Sequence, residues 1–281
     1  MRADELLTIY EIRAKEPQDL EFLGLGQKEL LGPDLAGLHL EGDFAFLFFV
    51  HDFDLKPFLS AYPKLTIEAI HRLRYDQWRD GDLGGPLELG PLSVWPGPLG
   101  PAPLGDQKVL YIDPGLAFGY GGHPTTKSCL KFLVRLLAPK TLAPPSMTAA
   151  LDLGSGTGVL GLAAALLGVK NVLGVDHSHL AVDQALKNVA LNGLEERVKF
   201  VQGLAQDYSN VKGELLMANV PLFVQKDLIA AGAYDDRSYA IFSGVLTEEG
   251  EAFYAALRER RPFKVIDFER CDRWLTGLLE L

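Results

Sequence analysis

The chain has 281 residues, 48% hydrophobic and 23% charged, a composition that suits a globular protein and excludes dominant disorder or a low-complexity fibre. Its 27 Lys and Arg against 37 Asp and Glu leave a formal net charge of −10, so a basic phosphate-gripping surface, and with it direct nucleic-acid binding, is not expected. Two cysteines, Cys129 and Cys271, make neither a disulfide framework nor a zinc cluster.

From the amino terminus the pattern reads strand, helix, strand, strand, helix, strand. Residues 6–12 are apolar and β-leaning, and residues 19–31 carry helical spacing. Residues 38–40 and 44–50 flank the turn Glu41-Gly42-Asp43, residues 55–62 form a short helix, and residues 65–73 return as a strand. That order fits a small α+β ferredoxin-like sandwich over residues 1–76. Next, seven Gly and six Pro fall within residues 81–105, too many for a helix or a central strand. The expectation is a connector over residues 77–108, with a short strand at residues 92–95.

The remainder, residues 109–281, alternates. Strands are expected at residues 148–153, 171–176, 198–202, 214–219 and 238–243. Helices are expected at 127–137, 158–167, 180–192, from about 222, and at 248–258. Residues 263–268 and 274–279 close the chain as an antiparallel pair. Repeated strand–helix units imply a doubly wound, Rossmann-like sheet of seven strands, with ligands beyond the carboxyl ends of its strands. The longest uncharged apolar stretch, residues 153–169, is broken by five glycines and is shorter than a bilayer span. With Asp4 and Glu5 where a signal peptide would start its apolar core, a cytoplasmic protein without membrane attachment is expected.

The strongest local motif is Leu151-Asp152-Leu153-Gly154-Ser155-Gly156-Thr157-Gly158, at the end of a strand and the start of a helix. Glycines there let a ligand approach the backbone while helix N–H groups point at it. Asp176 follows Gly156 by 20 residues and ends the next strand, the place of an acidic group that hydrogen-bonds a ribose diol. Gly156, Gly158 and Gly161 also satisfy the dinucleotide fingerprint. Asp152, two residues before the loop, argues against a pyrophosphate and favours a cationic, phosphate-free cofactor. In Met217-Ala218-Asn219-Val220-Pro221, Asn219 either faces the ligand or caps the following helix. His177 and His179 alternate without a further ligand cluster, so His177 is assigned a place beside the cofactor's base, and no metal is expected.

Upstream lies Ile112-Asp113-Pro114-Gly115-Leu116-Ala117-Phe118-Gly119-Tyr120-Gly121-Gly122-His123-Pro124-Thr125-Thr126. This segment closely resembles the signature of the PrmA family of ribosomal-protein lysine methyltransferases, D-P-G-x-A-F-G-T-G-x-H-P-T-T. Tyr120 stands where the family has Thr. The glycine loop likewise resembles motif I of class I S-adenosylmethionine-dependent methyltransferases. The resemblance implies a class I fold and S-adenosyl-L-methionine as cofactor. Thr126, Gly154, Ser155, Gly156, Asp176, His177 and Asn219 would bind it, with Asn219 also placing the reacting amine. It implies a protein substrate, a ribosomal protein, gripped by the small amino-terminal domain. A methyltransferase for another protein lysine or a small amine, and a binding protein without turnover, are the competing readings. From the residues alone, Thr125 or Thr126 could cap the helix that follows, His123 is open between general base and loop packing, and the glycines around Phe118 suit a lid.

Overall fold

Alternating apolar side chains build the first sheet. A computed structural model of the chain describes residues 6–16, 19–20, 31–32, 35–41, 43–74, 86–97, 107–115, 119, 121–137 and 147–281. The chain divides into two compact units, residues 1–83 and 84–281. In the first, β1 (Leu6–Ala14), β2 (Leu35–Glu41), β3 (Phe44–Phe49) and β4 (Leu65–Arg74) form one sheet in the order β2-β3-β1-β4, every pair antiparallel. Tyr10, Ile12 and Ala14 of β1 and Ala45, Leu47 and Phe49 of β3 lie at every second position. They close a core with Leu55 and with Phe58 of α1 (Lys56–Ala61). The helix expected at residues 19–31 falls mostly outside the described residues. Leu20 and Leu31, at its two ends, are buried in this core.

The second unit begins earlier than the composition implies. β5 (Leu87–Glu88) and β6 (Leu92–Pro96) sit inside the expected connector and join β7 (Lys108–Ile112) in a three-stranded sheet. The glycines and prolines punctuate these strands rather than prevent them. Leu92 and Val94 are buried in the same core as Leu110 and Ile112. The connector of residues 77–108 is therefore corrected: residues 86–97 are structural parts of the second unit.

The large sheet has seven strands in the order β10-β9-β8-β11-β12-β14-β13. These are β8 (Ala149–Leu153), β9 (Asn171–Asp176), β10 (Val198–Gln202), β11 (Leu215–Asn219), β12 (Tyr239–Leu246), β13 (Lys264–Cys271) and β14 (Trp274–Glu280). The first five in that order pair in parallel; β14 runs antiparallel to them, and β13, antiparallel to β14, runs in their direction. The parallel strands read as unbroken apolar runs, such as Leu215-Leu216-Met217-Ala218, because both faces are covered. One layer comes from α2 (Pro124–Leu137), α3 (Val159–Leu166) and α4 (His179–Leu191), through Leu130, Leu133, Leu160, Val182 and Ala185. The other comes from α5 (Leu222–Ala230) and α6 (Gly250–Arg260), through Leu228, Ile229, Phe253 and Leu257. Helix α3 is apolar all round and buried along most of its length, packed between the sheet and α2.

Strand order reverses at β8. The chain moves outward to β9 and β10 on one side and to β11 and β12 on the other, so the carboxyl ends of β8 and β11 form the switch point where sheets of this order take a ligand. No helix among the described residues is long and apolar enough to cross a membrane.

Candidate functional site

The glycine loop occupies the gap between the end of β8 and the start of α3. Gly154 has φ +76°, and a Cβ there would lie 2.3 Å from Cγ1 of Val220, so only glycine fits. The N–H groups of Gly154 and Ser155 both donate to the Val175 carbonyl, at 2.8 and 3.1 Å, which stitches the loop to the neighbouring strand. Gly156 N–H donates to Asp176 Oδ2 at 2.9 Å, and Ser178 N–H donates to Oδ1 at 2.9 Å. Two backbone segments thus aim one carboxylate that is only 8% exposed. Each oxygen keeps a further lone pair for a ligand hydroxyl. Ser178 caps α4, its side chain accepting from Ala181 N–H.

His177 is exposed, with Nδ1 3.5 Å from Asp176 Oδ1. His179 turns the other way, to Asp183 on its own helix, 3.4 Å from Oδ2. Among the described residues no three His, Cys, Asp or Glu side chains are grouped as metal ligands.

Asp152 does not face the switch point as the sequence argument supposed. It is buried beneath the loop, where Oδ2 accepts from Gly161 N–H at 2.9 Å and holds the first turn of α3. Burial pushes its pKa up to about 7; the Gly161 bond opposes the rise and the nearby Asp176 charge adds to it. Its effect on ligand choice through direct charge is correspondingly small.

The signature segment enters from β7. Helix α2 starts at Pro124, one turn earlier than expected, so Thr125 and Thr126 are buried first-turn residues and not caps. Pro124 suits a first helical position because its missing N–H would have no partner there. The cap is His123, whose Nδ1 lies 3.3 Å from Thr125 N and 2.7 Å from Thr125 Oγ1. Since Nδ1 accepts the backbone N–H, the hydroxyl donates to it as well, and the ring proton is assigned to Nε2. The ring packs edge-on against Trp274, with centroids 5.6 Å apart.

Asn219, at the end of β11, donates from Nδ2 to Thr125 Oγ1 at 3.1 Å. It does not cap α5, whose cap position is Pro221 with no side-chain bond. With Nδ2 committed to Thr125, Oδ1 is left over as an acceptor. Thr157 of the glycine loop donates from its hydroxyl to the Gly119 carbonyl at 2.7 Å, tying loop and signature together. Two hydroxyls in this region, Thr126 Oγ1 and Ser155 Oγ, are buried without a hydrogen-bond partner among the described residues. The expected lid residue Phe118 and the departure at Tyr120 lie outside the described residues.

One set of supporting residues escaped the sequence reading. Gln184 and Asn188 of α4 and Asn192, its C-cap, stand four apart. Gln184 and Asn188 both donate to the Asp113 carbonyl, at 2.8 and 3.0 Å, and Asn188 Oδ1 accepts from Asp113 N–H at 2.9 Å. Asn188 also donates to the Thr157 carbonyl at 3.0 Å. Asn192 exchanges both bonds with the Tyr111 backbone, at 2.9 and 2.7 Å. These amides act as a substitute strand for β7 and its exit. The signal was present, as amides at helical spacing beside an apolar face.

The profile of the ribosomal protein L11 methyltransferase (PrmA) family matches residues 86–279. A ribosomal protein L11 methyltransferase of Staphylococcus aureus (strain JH1) is 30% identical over 172 residues, 60% of this chain and 53% of that protein. The chain therefore aligns with about half the length of the curated relatives it matches. The crystal structure of a ribosomal protein L11 methylase from Lactobacillus delbrueckii subsp. bulgaricus superposes with a TM-score of 0.58 at 28% identity, covering 70% of this chain and 98% of that one.

Proposed function

The chain belongs to the ribosomal protein L11 methyltransferase (PrmA) family, and on that premise we propose that it transfers methyl groups from S-adenosyl-L-methionine to lysine nitrogens of a ribosomal protein. One observation carries the reading: the glycine loop, Asp176 and Asn219 end three strands, β8, β9 and β11, of which β8 is the middle one. That is the place where a sheet of this order takes its ligand. On this reading the large sheet is the doubly wound class I methyltransferase sheet.

The residues present fit the cofactor. Asp176 offers an aimed carboxylate for a diol, Gly154 lets the loop turn closely against Val220, and Thr126 and Ser155 hold buried hydroxyls in want of partners among the described residues. Thr126, Gly154, Ser155, Gly156, Asp176 and Asn219 would hold it, with exposed His177 at the rim. When bound, S-adenosyl-L-methionine supplies an electrophilic methyl on a sulfonium and departs as a neutral thioether. The protein's work is then chiefly placement. A lysine amine titrates near 10.4 in water and must arrive unprotonated, which desolvation in a crevice favours. Asn219 Oδ1, fixed through Nδ2 on Thr125, would accept an N–H of that amine and orient its lone pair.

The amino-terminal unit is assigned substrate docking. Its strand order, read as β4-β1-β3-β2 with all pairs antiparallel, is that of a ferredoxin-like sandwich. Two free cysteines suit a reducing, cytoplasmic setting. The test is incubation with tritiated S-adenosyl-L-methionine and a ribosomal extract. Label in one large-subunit protein, as methylated lysine, is expected. Cofactor binding without label in any protein would overturn the transfer reading.

A further inference from the structure

Where β11 and β12 part, a side chain takes over from the sheet. Their parallel ladder ends at the Asn219–Ser243 pair, and one more bond, Val220 N–H to Ser243 O at 3.2 Å, closes it. Beyond it Gly244, at φ +76°, brings β12 so near Val220 that a Cβ would lie 2.6 Å from the Val220 oxygen. Gln225, on the first turn of α5 and wholly buried, puts its carboxamide into this fork. Its Nε2 donates to Ala218 O at 2.9 Å and to Ser243 O at 3.1 Å. The first carbonyl precedes Asn219, and the second belongs to the residue paired with it. The Tyr234 hydroxyl, also wholly buried, donates to Gln225 Oε1 at 2.6 Å. Turning the amide over would set its oxygen against two carbonyl oxygens.

A buried amide is costly unless its bonds are satisfied, and its neighbours on the same helix, Leu228 and Ile229, are buried apolar side chains. An apolar residue would fill the position more simply if packing were its only task. Neither Gln225 nor Tyr234 has a part in cofactor binding as assigned above. We infer that Gln225 is a positioning residue for Asn219: it clamps the carboxyl ends of β11 and β12, with Tyr234 fixing its orientation, so that the Asn219 carboxamide stays in register with Thr125. The role given to Asn219 rests on the methyl-transfer reading, whereas the clamp itself does not.

The test uses the full chain and the variants Gln225→Met and Tyr234→Phe, with Phe253→Leu as a packing control. Phe253 lies edge-on to Tyr234, with centroids 6.1 Å apart, stacks on Phe242 at 4.0 Å, and makes no hydrogen bond to the Gln225 carboxamide. Amide exchange by NMR is followed at Val220 and at the Asn219 side chain, with Ala240, inside β12, as reference. Loss of one buried hydrogen bond in Tyr234→Phe should speed exchange at Val220 and Asn219 by roughly fivefold to tenfold, with Ala240 unchanged. Turnover should fall by a similar factor, and KM for S-adenosyl-L-methionine should rise by less than turnover falls, because Asn219 is only one of the residues assigned to hold the cofactor. Phe253→Leu should lower Tm without separating Val220 from Ala240. If Gln225→Met does not fold, Tyr234→Phe alone decides. Exchange that rises equally at Val220 and Ala240, or unchanged kcat beside a loosened Val220, overturns the inference. If the wild-type chain neither binds nor transfers, the methyl-transfer reading falls, and selective exchange at Val220 and Asn219 still decides the clamp.

Discussion

Asp176 and Asp152 are two carboxylates near one loop with opposite duties. Asp176 is nearly buried at the end of β9 with both oxygens held by backbone N–H groups, of Gly156 and Ser178. Asp176→Ala removes charge-assisted bonds worth about 1.5–3 kcal/mol, so cofactor affinity should fall roughly tenfold or more while the fold persists. Calorimetry with S-adenosylhomocysteine reads this directly, and unchanged affinity in a folded variant would sink the ribose assignment. Asp152 is a different case, because burial raises its pKa to about 7. In the unfolded chain the group titrates near 3.9, so the folded state holds the proton more tightly. Its contribution to stability is complete below about pH 4 and is lost as pH rises through about 7. Asp152→Asn keeps an oxygen for Gly161 N–H and carries no charge. The variant should gain on wild type steadily between those limits, and urea unfolding in parallel pH series measures the gap. Parallel pH curves for the two proteins would show that Asp152 keeps an ordinary pKa.

At the scale of elements, the amides of α4 show how one helix holds a strand exit and a loop together. The Asn188 side chain makes three bonds, two with the Asp113 backbone and one with Thr157 O, and these tie β7's exit to the glycine loop. Asn188→Ala takes this partner from the buried Thr157 carbonyl and from Asp113 N–H, while the Asp113 carbonyl keeps Gln184, at a cost of about 1–3 kcal/mol. Asn192→Ala, at a half-buried position, should cost less. Equal and small losses in chemical denaturation would reduce the ladder to surface decoration.

Strands were legible in the sequence where short β-leaning runs lie between turn residues. Residues 171–176 and 198–202 coincide with β9 and with β10, the edge strand of the sheet. The site's ends were legible for the same reason: Gly154, Asp176 and Asn219 each close a strand. What was not legible depended on side-chain direction. Thr125 and Thr126 look like caps in a linear reading, but His123 before Pro124 starts α2 earlier. Asp152 lies two residues before the loop, yet strand alternation and the overlying α3 bury it. Gln225 reads as a polar residue on an amphipathic helix, and only the fork between β11 and β12 explains it.

For the whole molecule, the division at Gly84 decides what a truncation can show. The family match begins at residue 86, within two residues of that division, and every assigned cofactor residue lies after it. A chain beginning at Gly84 should therefore unfold cooperatively and bind S-adenosylhomocysteine as tightly as the full chain. A chain beginning at Gly105, where the Gly/Pro run ends, should fare worse. It deletes β6, which pairs in parallel with β7 from Leu92 to Pro96, and with it the buried Leu92 and Val94. Two buried aliphatic side chains at about 1.5–3 kcal/mol each amount to roughly 3–6 kcal/mol, a large share of a domain's usual margin of about 5–15 kcal/mol. Urea unfolding of the two pieces measures that difference. The same pair tests docking. The Gly84 chain should methylate an intact ribosomal protein far more slowly than the full chain, because orientation by the first unit is lost. A short lysine peptide at high concentration should lose little, since it gains nothing from docking. Full-rate methylation of the intact protein by the Gly84 chain would remove the docking role. A folded Gly84 chain that fails to bind cofactor would instead place part of the cofactor site before residue 84.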